Sequence, residues 1–120
     1  MSNLYQRRLS LAGLDVADWP EDELRRLVRG ILEQKIHGLS FGPYVEGQGP
    51  GTQVGEDQIR QRLAIVAPFV RWIRTFSCSD GNERIPAVAR EFGLRTMVGV
   101  WLDADRDKNE AEIANAIEVA

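Results

Sequence analysis

The stretch LRTMVGVWL, residues 94–102, decides how this chain is read. It is nearly all apolar and carries no turn residue beyond Gly99. Such a run predicts a strand buried on both faces, as in a parallel sheet. A compact helical pattern, DGNERIPAVAREFG (80–93), leads into it. There Asn82 can cap and Pro86 falls in the tolerant first turn. Ile85, Val88, Ala89 and Phe92 repeat at helical spacing, and Gly93 supplies the stop.

Working outward, two more strand patterns precede it. RWIRTFS (71–77) is rich in aromatic and β-branched residues, and IHGLSFGPY (36–44) ends at Gly42-Pro43. Between them Ile59, Leu63, Val66, Ala67 and Val70 recur at helical spacing, with Pro68 as the breaker. DWPEDELRRLVRGILEQK (18–35) predicts a helix capped by Asp18, with Leu24, Leu27, Val28, Ile31 and Leu32 on one face. A last helix follows DADRD, with Asp107 and Glu110 as the capping pair and Ile113, Ile117 and Ala120 as its apolar face. The strands recur at about 30 residues, the length of a βα unit.

The pattern predicts an α/β fold. Residues 1–35 form an N-terminal helical extension, and 36–120 form the first three βα units of a TIM barrel. A whole (β/α)8 barrel needs about 250 residues, and a three-stranded parallel sheet leaves both edges open. The last helical pattern still runs at Ala120. The chain is therefore expected to be the leading part of a larger barrel. The alternative is a compact three-stranded domain.

Composition bounds the partners. The chain has 120 residues, with 15 basic against 18 acidic and a net charge of −3. The basic residues are dispersed, so no nucleic-acid footprint is expected. The densest cluster, RRLVR at 25–29, reads as a solvated helix face. One cysteine, Cys78, excludes an intramolecular disulfide and a cysteine-built zinc site. No run approaches the roughly 18 apolar residues of a membrane span. No signal peptide is visible, which makes the cytoplasm the default location.

The glycine-rich loop FGPYVEGQGPGTQVG (41–55) holds five of the 11 glycines and looks like a phosphate grip. It fails that reading. Gly47, Gly49 and Gly51 do not give the G-x-G-x-x-G spacing, Pro50 removes an N–H, and no lysine follows. It is expected to be a βα loop on the face where barrels build their sites. Asp103, Asp105 and Asp107 imitate a calcium loop, but Lys108 stands where glycine is required and Ala114 where glutamate is. No metal or cofactor is expected. His37 lies near a strand start and reads as structural, which disfavours serine-triad chemistry. Cys78 stands at the opposite end of the sheet, so a Cys–His pair is discounted.

Phe41, Tyr44, Phe76 and Trp101 stand at or near strand ends. Sugars stack C–H faces on aromatic rings, so rings at one rim suit a carbohydrate cleft, although burial is the usual fate of an aromatic ring. Arg74 lies within a strand, where an unpaired guanidinium is costly. It is expected either to pair with a carboxylate inside the barrel or to point at a ligand.

The ordered set IHGLSFGPY, GQGP, WIRTFS, IPAVAREFGLRTMVGVWLDAD and NEAEI resembles glycoside hydrolase family 17, most of all its bacterial β-1,3-glucanase-like members. The resemblance spans about residues 36–120. It implies a barrel that hydrolyses or transglycosylates β-1,3-glucans by retaining chemistry. Two glutamates do this in the family, near the ends of the fourth and seventh strands, with carboxyls only about 5 Å apart. Neither matches a residue here, so no catalytic residue is assigned, and the chain alone is expected to be inactive. Glu46, Glu83 and Glu110 are not promoted. Phe41, Tyr44, Arg74 and Trp101 are expected to line the non-catalytic side of a glucan cleft. Many relatives carry Tyr where this chain has Phe41. The competing expectation is a non-catalytic half-barrel that binds a sugar or a partner and self-associates through its open edges.

Overall fold

The computed structural model describes residues 13–120. Part of the expected N-terminal extension, residues 1–12, lies outside the described residues. The remainder contains helix α1 (Glu21–Glu33), strand β1 (Ile36–Ser40), helix α2 (Glu56–Val66), strand β2 (Val70–Arg74), helix α3 (Ile85–Glu91), strand β3 (Arg95–Met97) and helix α4 (Arg106–Val119). Short 3-10 turns at Ala67–Phe69 and Asn82–Arg84 lead into β2 and α3. The strands form one open, three-stranded parallel sheet in the order β1-β2-β3. This is a mixed α/β architecture in which each strand is followed by a helix.

Pro68 ends α2 as its missing N–H requires, and the chain tightens to a 3-10 turn before β2. Gly93, at φ +72°, supplies the left-handed stop after α3. The expected caps are corrected. Pro20, not Asp18, opens α1, and its carbonyl accepts from Glu23 and Leu24 N–H. Asn82 lies inside a 3-10 turn, and Arg84 is the cap of α3. Asp105, not Asp107, caps α4 by accepting from Lys108 N–H at 3.2 Å.

The core lies between the sheet and α2 and α3. Ile59 and Leu63 of α2, Val70 and Ile73 of β2, and Ile85, Val88 and Ala89 of α3 are buried together with Phe41, Val54 and Leu94. Each fully buried aliphatic side chain contributes about 1.5–3 kcal/mol. An Arg60–Glu91 pair, 2.8 and 3.0 Å through its two contacts, holds α2 against α3.

Register divides the sheet into rows that alternate in face. Leu39, Ile73 and Thr96 share one row, and Leu39 and Ile73 pack in the core. Ser40, Arg74 and Met97 share a neighbouring row on the opposite face, where all three are exposed. The expected two-sided burial of residues 94–102 is therefore corrected. Leu94 is buried, but Met97 is 61% exposed, and Val100, Trp101 and Leu102 are exposed too. Pairing accounts for the short strand. β2 ends at Arg74, and on the β3 side Thr75 N–H to the Met97 carbonyl, 3.0 Å, carries the ladder one step further.

Helix α1 buries no residue; Leu24, Leu27, Ile31 and Leu32 are half-buried, and Val28 is exposed. Among the described residues no helix is long and apolar enough to cross a membrane.

Gly81 fixes the entry to α3. Its φ is +92°, and a Cβ there would collide with the Val54 carbonyl oxygen. Gly93 shares the positive φ but has open space around it. Gly93→Ala should therefore cost about 1–2 kcal/mol, the left-handed penalty alone. Gly81→Ala should add an overpacking cost of about 1–3 kcal/mol. Urea unfolding midpoints of the two variants measure the difference, and equal losses would refute the close approach.

Candidate functional site at the C-terminal rim

The strands run parallel, so their C-terminal ends and the loops that follow share one end of the sheet. Arg74 closes β2, is exposed, and lies 4.9 Å from the centroid of the Phe76 ring. That distance is within cation–π range. Among the described residues it makes no ion pair, so of the two expected alternatives the internal carboxylate partner is not found, and a ring stands beside it. Phe76 is 42% exposed and Trp101 61% exposed. Tyr44 is half-buried, and its hydroxyl accepts from Asn82 Nδ2 at 3.3 Å. Phe41 is corrected from rim to core: it is 5% exposed and packs with the buried aliphatics, since its N–H pairs with the Arg74 carbonyl and extends β1 by one residue. Among the described residues no hydrogen bond, ion pair or ring contact joins Tyr44, Arg74 and Trp101 to one another.

The glycine-rich loop spends its donors internally. Val45 N–H donates to Gln48 Oε1 at 3.2 Å and Gly49 N–H to Thr52 Oγ1 at 3.2 Å. Val54 N–H donates to the Asp80 carbonyl at 2.9 Å, and Gln58 bridges Pro43 and Gln48. These are N–H groups a phosphate would need. The aspartate run is likewise spent on its own turn. Asp103 Oδ1 accepts from Asp105 N–H at 2.7 Å, and Asn109 brackets the Asp103 backbone at 2.9 Å on both sides. Among the described residues no three His, Cys, Asp or Glu side chains converge to hold a metal.

His37 is exposed, with its ring stacked 6.1 Å from Trp72. Glu83 accepts from Gly81 N–H at 2.9 Å, a turn-closing contact. Cys78 is 1% exposed and donates to the Gly99 carbonyl at 3.3 Å. Burial first, then the Glu112 and Glu83 charges, push its thiol up to about 11. Such a thiol stays protonated and inert at neutral pH.

The group that sequence reasoning missed is Glu112. It is 4% exposed and the one residue of α4 that is buried. Its Oε1 accepts from the Ser77 hydroxyl and, at 2.6 Å, from the Ser79 hydroxyl. Its Oε2 accepts from Cys78 N–H at 2.8 Å and Trp101 N–H at 3.3 Å. An ionised carboxylate offers about four lone-pair directions, and four donors fill them. Burial alone would raise its pKa, but these donors outweigh burial and hold the carboxyl below the ordinary glutamate range. Asn115, one turn on, donates to the Cys78 carbonyl at 2.6 Å. Helix α4 thus docks on the β2 loop through Glu112 and Asn115, while Asn109 closes the turn that leads into it. The expected apolar face is corrected: Ile113 is 41% exposed and Ile117 74%. The three-residue spacing of Glu112 and Asn115, opposite a Ser-Cys-Ser loop, was the available signal.

Chemically, the rim presents two exposed rings and a guanidinium, with a saturated carboxylate beneath. Glu112 has no free lone pair for proton transfer or nucleophilic attack. Open grooves of about 460 and 630 Å³ run along α1, lined in part by Trp19 and Leu27 or by Val28 and Phe69. They hold none of the rim groups, so chemistry rather than volume locates the candidate site. No protein-family model, curated protein or solved structure matches the chain.

Because the folded-state pKa of Glu112 is lowered, its stabilisation is complete above its unfolded value of about 4.3 and is lost as pH falls through the folded value. Gln is isosteric: its oxygen can face the two N–H donors and its NH2 the two serine oxygens. Glu112→Gln should therefore keep the fold at pH 7 and flatten the loss of stability below about pH 4.3. Urea midpoints between pH 3 and 7 read this, and an unchanged acid limb would refute it. Native Cys78 should resist alkylation at pH 8 and react fully in denaturant. Labelling of the folded chain at the denatured rate would contradict its burial.

Proposed function

We propose that this chain supplies the first three βα units of a (β/α)8 barrel of the glycoside hydrolase family 17 type. Its rim lines the non-catalytic side of a β-1,3-glucan cleft. The observation that carries the reading is the exposed set of Arg74 at the end of β2 and Phe76 and Trp101 beyond the ends of neighbouring parallel strands, where barrels build their sites. Exposed rings give a sugar C–H face to stack on, and the Arg74 guanidinium offers donors to hydroxyls. Tyr44 adds a hydroxyl held by Asn82. Phe41 supports this rim from the core instead of touching the ligand. The chain carries no match to either family glutamate, so it binds glucan without cleaving it.

A second reading has its own support. Met97, Val100, Trp101 and Leu102 expose a run of apolar side chains beside β3, a strand that pairs on one side with β2. A strand edge flanked by apolar surface suits a protein partner or a second copy of the chain. On this reading the molecule is a non-catalytic interaction module.

Titration with laminari-oligosaccharides, followed by tryptophan fluorescence, separates the two. Saturable binding is expected, weakened about tenfold or more by Trp101→Ala, a loss of about 1.4 kcal/mol. No reducing sugar should be released. Glucan-independent dimerisation without oligosaccharide binding would favour the second reading, and sugar release by this chain would overturn the first.

A further inference from the structure

We infer that Glu112 is the positioning residue of the rim: one carboxylate sets the loop after β2 and the loop after β3 in a fixed relation, and so holds the Trp101 backbone at the end of the sheet where Arg74 and Phe76 are exposed. The inference rests on the glucan-rim reading for its functional consequence, but not for its structural core.

The two oxygens divide the work. Oε1 holds the Ser77 and Ser79 hydroxyls, both on the β2 loop. Oε2 holds Cys78 N–H on that loop and Trp101 N–H on the other. The same oxygen therefore touches two loops that also approach each other where Gly99 lies close against the Thr75 and Phe76 backbone, and, among the described residues, two further hydrogen bonds join them there. One is Gly99 N–H to Thr75 Oγ1 at 3.0 Å, and the other is the Cys78 thiol to the Gly99 carbonyl. Beyond Gly99 the β3 loop has left the ladder, and its apolar side chains are exposed. Trp101 is 61% exposed, and its backbone N–H is tied to Glu112. Helix α4 has no buried apolar residue either, and its docking runs through the same carboxylate. Glu112 touches no position that a sugar on the exposed rings would occupy, being 4% exposed. It acts through Trp101 and is not a catalytic residue.

The test uses the full 120-residue chain. Amide hydrogen exchange reads the two loops, and laminari-oligosaccharide titration reads the rim. In Glu112→Ala, exchange at Trp101 and Cys78 should quicken by about tenfold or more, the loss of a charge-assisted hydrogen bond at each. The ladder amides of Phe41 and Thr75 should keep their wild-type rates. Oligosaccharide affinity should fall by about tenfold or more, while Glu112→Gln stays within about threefold of wild type in both readouts. Should Glu112→Ala fail to fold, Ser77→Ala/Ser79→Ala decides the matter. These changes lie on one loop, yet exchange should quicken at Trp101 on the other. Unchanged Trp101 exchange in either variant overturns the inference. So does equal loosening of Phe41 and Thr75, which marks a general loss of stability. If wild type binds no glucan, the rim reading falls and the exchange data still judge the coupling.

Discussion

The far end of this fold depends on a carboxylate sealed from water. Glu112 accepts four hydrogen bonds from two loops, and through it α4 joins the body. A helix of this length would ordinarily dock by an apolar stripe. Here the stripe Ile113–Ile117 faces solvent and the polar stripe faces inward. The exchange is physically sound because every acceptor direction is filled; a buried charge left short of donors would cost far more than two isoleucines could return. It also explains the buried Cys78, whose backbone N–H and carbonyl are both held by α4.

The other half of the molecule is organised by ordinary burial. Ile59, Leu63, Ile73, Ile85 and Val88 pack between the sheet and two helices, and Gly81 lets the loop before α2 touch the entry to α3. The two regimes meet at β2. One of its faces supplies Ile73 to the core, and its end supplies Arg74 and the Ser77–Ser79 loop to the rim. The proposed glucan rim follows from that meeting. Parallel strands bring the rings to one end, and a hydrogen-bonded carboxylate ties down the outermost loop.

Much of this was legible in the sequence, and the rest was hidden for identifiable reasons. The helical periodicities gave α1, α2 and α3 with their breakers, because Pro68, Pro86 and Gly93 act locally. Three parallel strands followed from the spacing of apolar runs. The length of β3 did not, because pairing is set by the neighbour: β2 ends at Arg74, and Val100 to Leu102 are apolar without being paired. Caps failed where candidates compete. Asp103, Asp105 and Asp107 could each open α4, and Asp105 prevails because Asp103 is committed to its own turn. At the rim, Arg74 was legible as a strand residue and closes β2, whereas Trp101, read within the third strand, lies in the loop beyond β3, and Phe41 turned inward. Glu112 stayed hidden because a glutamate in a helix reads as solvated unless its donors, three of them more than 30 residues away, are known.

The most direct measurement is a carboxyl-detected NMR titration of Glu112, with the amide shifts of Cys78 and Trp101 followed alongside. The Glu112 midpoint should lie below the free glutamate value of about 4.3, with both amides shifting at that same midpoint. A midpoint at or above the free value, or amides that move independently of it, would contradict the carboxylate clasp on which the account rests.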